Sequence, residues 1–146
     1  MECTLNLITI YLMANTYSLR LKSQFTEAEK VPGFIETISS ENGFDDDLEG
    51  RIMLALSEAA TNAIVHGNKE DCAKDVQISV DVSPKSVVIV VQDQGDGFNP
   101  EHTPDPTEEE NLLQTGGRGI YLIEHYAEEV SYNDGGRRVI MKFNRA

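Results

Sequence analysis

The chain of 146 residues carries 12 Lys and Arg against 25 Asp and Glu, a net charge of −13, and 40% of its residues are apolar. That length fits one domain with a real core, burying roughly two thirds of its unfolded surface. The charge repels phosphate backbones and anionic membranes and so argues against generic nucleic-acid binding and membrane attachment.

Cys3 and Cys72 share no metal-ligand spacing with each other or with His66, His102 and His125, so neither a zinc site nor a disulfide framework is expected and a reducing cytoplasm is the default. Residues 1–14 contain an apolar patch, Leu5 to Leu12, too short to span a bilayer and without a basic start or a cleavage site. They are expected to be a flexible extension, with Met13 a candidate start and a single domain over 15–146.

Tyr17 to Lys22 alternates apolar and polar, the period of a half-buried strand. Thr26 or Pro32 then opens a helix through Phe34, Ile35 and Ile38 that stops near Asn42-Gly43. Phe44-Asp45-Asp46-Asp47 is an acidic helix start, favourable at the positive end of the helix dipole, and leads into a long helix ending near Gly67. Strands over 76–82 and 87–92, joined by Ser83 to Ser86, read as an antiparallel hairpin. The long segment from Phe98 to Gly116, with three prolines and the run Glu108-Glu109-Glu110, has the length of a lid over a ligand. A helix over Gly119 to Ala127 and a second hairpin turning at Asn133 to Gly136 close the chain. Hairpins with three helices to cover them predict an α+β two-layer sandwich: a mixed, mostly antiparallel sheet covered on one face by helices.

Three constellations carry chemistry. On the long helix Glu58 and Asn62 lie one turn apart and point the same way, flanked by Ser57, Thr61 and His66, in a segment otherwise made of Ala, Leu, Ile and Val. Such a polar stripe is a solvated edge, a small internal hydrogen-bond network, or a site in which Asn62 offers a carbonyl oxygen to a hard cation and Glu58 acts as a base. After a Val-rich strand comes Asp93-Gln94-Gly95-Asp96-Gly97-Phe98. Its carboxylate can accept from an exocyclic amino group, and its glycines let backbone approach a planar ligand. Glycines at the oxygen-ligand positions exclude an EF-hand loop. Thr115-Gly116-Gly117-Arg118-Gly119 leads into a helix, where backbone amides form an anion site and Arg118 adds a phosphate-matching fork. Each alone is as well explained by a turn or a helix start, and neither a P-loop nor a dinucleotide fingerprint is present.

In this order the three together resemble the ATP-binding superfamily of gyrase, heat-shock chaperones, histidine kinases and mismatch-repair ATPases. Within it the chain looks most like the small anti-sigma-factor serine/threonine kinases of bacterial partner-switching systems, over about Tyr17 to Phe143. The resemblance implies that Asn62 coordinates the Mg²⁺ bridging the ATP phosphates, that Glu58 is the general base, and that Asp93 binds the adenine amino group beside Gly95 and Gly97. It places Gly117 and Gly119 at the phosphates, with Arg118 less securely carried over because family members vary there. It implies a STAS-type anti-anti-sigma substrate, a sigma-factor partner, a cytoplasmic location and a homodimer. A histidine kinase proper is disfavoured because phosphoacceptor helices do not fit upstream of Glu58, which leaves His66 a structural place at a helix C-terminus. Two classes stay open: a kinase, and a nucleotide-responsive regulator-binding module with little turnover. A base at Glu58 favours the kinase.

Overall fold

The computed structural model describes residues 15–97 and 122–145. Among the described residues five strands form one sheet: β1 (Asn15–Lys22), β2 (Asp75–Val82), β3 (Ser86–Gln92), β4 (Glu129–Asn133) and β5 (Arg138–Asn144), in the spatial order β1-β2-β3-β5-β4, with each of these pairings antiparallel. Alternation in the sequence sets which face is buried. Val76, Ile78, Val80 and Val82 of β2, Val87, Ile89 and Val91 of β3, and Met141 and Phe143 of β5 all point into the core. The two expected hairpins, β2–β3 and β4–β5, form and are joined by a long-range pairing of Ile89 with Met141 and Val91 with Val139.

Helices α1 (Lys30–Asn42) and α2 (Asp46–Asn62) pack on that buried face. A 3-10 turn, Phe25–Glu29, precedes α1, so Thr26 falls inside the turn and Pro32 inside the first turn of the helix, where its missing N–H is harmless. Gly43 ends α1 in the left-handed conformation at φ 67°. Asp45 caps α2, its carboxylate accepting from the Leu48 N–H at 2.8 Å, and Asp46, Asp47 and Glu49 follow in the first turn. Leu48, Ile52, Ala55, Leu56, Ala59 and Ala60 repeat at helical spacing and are buried, so Glu58 and Asn62 lie off the packed stripe.

Past Asn62 the helix widens into a π-turn, Ala63–Gly67, in which the Ala63 carbonyl accepts from the Asn68 N–H five residues on, at 2.8 Å. A single longer helix was the expectation, and side-chain periodicity does not register a change of hydrogen-bond partner. Of the helix expected over Gly119 to Ala127, residues 122–126 are helical and Ile123 and Ala127 are buried. Arg51 ties α2 to the entry of β4 through Glu128 at 2.9 Å. No helix among the described residues is long and apolar enough to cross a membrane.

Candidate functional site

Two parts of the candidate site fall within the described residues. The first is the polar row of α2. Glu58 and Asn62 are both half-buried, and Leu54, one turn earlier on the same row, is 49% exposed. Among the described residues nothing bonds or pairs with the Glu58 carboxylate. The Oδ1 atom of Asn62 is shielded from solvent and has no hydrogen-bond partner among the described residues. A buried carbonyl left so costs about 1–3 kcal/mol. A ligand or an ion could supply the missing partner, and no hydrogen-bond network forms around this atom among the described residues.

The second part is the loop Asp93–Gly97, which leaves the end of β3. Asp93 is only 7% exposed, and its Oδ1 accepts from the Gly95 N–H at 2.8 Å. Burial pushes its carboxyl above the ordinary aspartate range. The Gly95 N–H and the Arg137 guanidinium oppose that rise without cancelling it. A desolvated carboxylate with one lone pair already fixed is an acceptor of set direction, suited to the amino edge of a planar base.

The π-turn brings the two parts together. Gly67 lies against the loop so closely that a Cβ on it would sit 2.5 Å from Asp93 Oδ2, and a Cβ on Gly95 would fall inside the Gly67 carbonyl oxygen. At Gly95 the obstacle is backbone and cannot move aside, whereas at Gly67 it is the Asp93 carboxylate, which a larger residue would displace. From Asn62 to Gly67 the helix advances by roughly 7 Å. Asn62 closes α2, the Gly67–Asp93 contact follows at the end of the π-turn, and Glu58 lies a turn before Asn62. Gly97, at φ 84°, faces the Gly135 carbonyl of the β4–β5 turn.

A divalent cation here would draw few ligands from the protein. No group of three or more His, Cys, Asp or Glu side chains that could hold a metal occurs among the described residues. Asn62 Oδ1 is a hard oxygen of the kind Mg²⁺ takes, and Mg²⁺ characteristically keeps substrate phosphates and water as its remaining ligands. The donor set fits a metal that arrives with its nucleotide.

Gly117, Arg118 and Gly119, together with the segment from Phe98 to Gly116 and the extension 1–14, lie outside the described residues. His66, in the last turn of the π-segment, is exposed. Three residues of the site escaped the sequence reading. Gly67 reads there as a helix stop, yet its small size is required by Asp93. Asn68 is 1% exposed and accepts from the Gln94 N–H at 2.7 Å, and Arg137 donates from Nε to the Gly95 carbonyl at 2.6 Å. An Asn after a helix-ending Gly gives a faint turn signal. Arg137, one of two arginines after a glycine pair, gives none.

The family described as the histidine kinase-like ATPase domain matches residues 21–143. The chain is 36% identical over 118 residues to the serine-protein kinase RsbW of Bacillus licheniformis, covering 71% of this chain and 69% of that protein. It is 34% identical over 117 residues to RsbW of Bacillus subtilis, with 71% and 69% covered. To RsbW of Staphylococcus aureus strain MSSA476 it is 35% identical over 104 residues, covering 66% of this chain and 65% of that protein.

Proposed function

The chain belongs to the histidine kinase-like ATPase domain family, and from that premise we propose that it is a serine/threonine protein kinase using Mg·ATP, an anti-sigma factor that phosphorylates a small STAS-type anti-anti-sigma protein. One observation supports this above the others: the buried Asn62 Oδ1, without a hydrogen-bond partner among the described residues, shares a helix face with Glu58 and lies five residues before Gly67, which packs against Asp93. The relatives, 34–36% identical to this chain, carry the name serine-protein kinase.

Each residue has a task in that chemistry. Asp93 accepts from the exocyclic amino group of adenine, while Gly95 and Gly67 leave room for the loop to lie where that contact is made. Asn62 would hold a Mg²⁺ through its carbonyl oxygen, and the ion would supply charge neutralisation at the phosphates. Gly117 and Gly119, outside the described residues, are assigned to the phosphates from the sequence motif alone, with Arg118 as an added fork. Glu58, as the carboxylate, takes the proton from the attacking serine or threonine hydroxyl. Phosphoryl transfer asks mainly for positioning and charge stabilisation, and this donor set supplies both.

Phosphorylation of the antagonist places up to two negative charges on it, and repulsion by a chain of net charge −13 weakens the complex. The freed kinase then captures a sigma factor. In this scheme the protein is cytoplasmic and works as a homodimer. The test is to incubate the full chain and Glu58→Gln with labelled Mg·ATP and purified STAS proteins. Label on a serine or threonine of one of them, lost with Glu58→Gln, is the expected result. A wild type that binds ATP and a sigma factor but labels no candidate would make it a regulator-binding module instead.

A further inference from the structure

The Asp93–Gly97 loop has little side-chain packing of its own, yet it is held from two opposite sides. On the helix side stands Asn68, immediately past the π-turn. Its Oδ1 accepts from the Gln94 N–H at 2.7 Å, and its Nδ2 donates to Ser23 Oγ at 2.8 Å and to the Asp75 carbonyl at 3.0 Å. Ser23, fully buried, passes the network on to the Lys74 carbonyl at 2.6 Å. One carboxamide thus joins the end of β1, the start of β2, the end of α2 and the loop, and all its polar atoms are satisfied.

On the hairpin side stands Arg137. Its Nε donates to the Gly95 carbonyl at 2.6 Å, its Nη2 to the Asp96 carbonyl at 3.3 Å and its Nη1 to the Asp134 carbonyl at 2.8 Å. Its own carbonyl accepts from the Asp93 N–H at 2.9 Å. Four successive residues, Asp93 to Asp96, therefore each have a backbone atom fixed by Asn68 or Arg137. The guanidinium, 34% exposed, spends its donors on loop and turn carbonyls, and its Nη1 also lies 3.5 Å from the Asp134 carboxylate.

We propose that Asn68 and Arg137 are positioning residues for nucleobase recognition, two clamps that hold the Asp93–Gly97 loop in its binding geometry before any nucleotide arrives. A single carboxylate reading one edge of a planar base tolerates about 0.5 Å of misplacement. The Asp93 side chain is aimed by the Gly95 N–H, so whatever fixes Gly95 aims Asp93. Ordering this loop in advance removes that entropic cost from the binding step. The inference rests on the nucleotide-binding function proposed above.

The experiment measures two quantities on the full chain: Mg·ATP affinity by calorimetry, and hydrogen exchange of the Gln94 to Gly97 amides without nucleotide. Arg137→Ala and Asn68→Ala are compared with wild type and with Ile38→Val, a truncation in the α1 core away from the loop. Both clamp variants should weaken Mg·ATP by about tenfold or more and speed exchange of the loop amides, as loss of charged or buried hydrogen bonds implies. Ile38→Val should lower the melting temperature with loop exchange and affinity unchanged. Arg137→Lys, which keeps the charge but not the fork, should fail to restore affinity. If Asn68→Ala does not fold, the partly exposed Arg137 still decides. Affinity within twofold of wild type in the clamp variants, or unchanged loop exchange, overturns the clamp and leaves the proposed function standing. A wild type that binds no Mg·ATP overturns both.

Discussion

The two ends of the site are built in opposite ways. Around Asp93 the protein completes its own bonding: the carboxylate is met by Gly95, the loop by Asn68 and Arg137, and the close approach of Gly67 leaves no slack. Around Glu58 and Asn62 the described residues leave bonding open, with one acceptor buried and unmet among them on a helix that could have carried Leu or Ala there. Groups the fold satisfies are held in place and can serve as a template. Groups it leaves unsatisfied raise the free energy of the empty protein and recover it only when something binds. The contrast predicts that changes at the first end act through loop geometry, and changes at the second through chemistry or through stability.

The largest expected effect belongs to Glu58. With Glu58→Gln the transfer rate should fall by about 100- to 10,000-fold, the usual range for a general base. Mg·ATP affinity and melting temperature should stay near wild type, since nothing among the described residues depends on that carboxylate. Single-turnover transfer beside calorimetry separates the two. A rate within a few-fold of wild type would remove Glu58 from the mechanism and blur the difference between the ends.

Next comes Gly95→Ala. Its Cβ would collide with the Gly67 carbonyl, a backbone atom that cannot swing aside. Overpacking of this kind costs about 1–3 kcal/mol, and here the strain is relieved only by moving the Asp93 loop. A lowered melting temperature with loss of nucleotide binding is expected, and a variant that binds Mg·ATP normally would show that the loop is more yielding than its contacts imply.

Much of this was legible in the sequence because it is local. Alternation placed the strands, the acidic cluster before Leu48 placed the start of α2, and the i, i+4 spacing put Glu58 and Asn62 on one face. The β3–β5 pairing was not legible, since no local pattern says that Ile89 meets Met141. The π-turn leaves side-chain periodicity almost unchanged. The closeness of Gly67 to Asp93 is a tertiary contact between segments 26 residues apart in number, and an isolated Gly after a helix is more simply a stop signal. Asn68 and Arg137 act by what they reach through space, which single positions in a chain do not reveal.

A smaller effect, of opposite sign to most substitutions, is expected at Asn62. Asn62→Leu keeps the volume and removes the orphaned carbonyl, so the nucleotide-free protein should gain about 1 kcal/mol of stability, the lower part of the penalty for an unmet buried polar group. Mg-dependent nucleotide binding should be lost in the same variant. Denaturant unfolding with and without Mg·ATP measures both. A Leu variant less stable than wild type would show that Asn62 is satisfied in solution, and the two ends would then be built alike.

The smallest effect is the pH dependence of Asp93. Its carboxyl is raised by burial, so between the ordinary aspartate pKa of about 3.9 and the higher folded value the native state binds more protons than the unfolded chain. By linkage this residue's contribution to stability is fully present below the unfolded pKa and is lost as pH rises through the folded one. The other carboxylates titrate over the same range, so the measurement is the difference between wild type and Asp93→Asn, melted side by side from about pH 3.5 to 7. That difference should move against wild type as pH rises, and bound Mg·ATP should shrink the movement, because an amino group donating to Asp93 favours its ionised form. If wild type instead gains on the Asn variant with rising pH, the ionised carboxylate is already well solvated by Gly95 and Arg137. The loop would then be a site whose charge is stabilised without ligand, which is the limit of the contrast with Asn62.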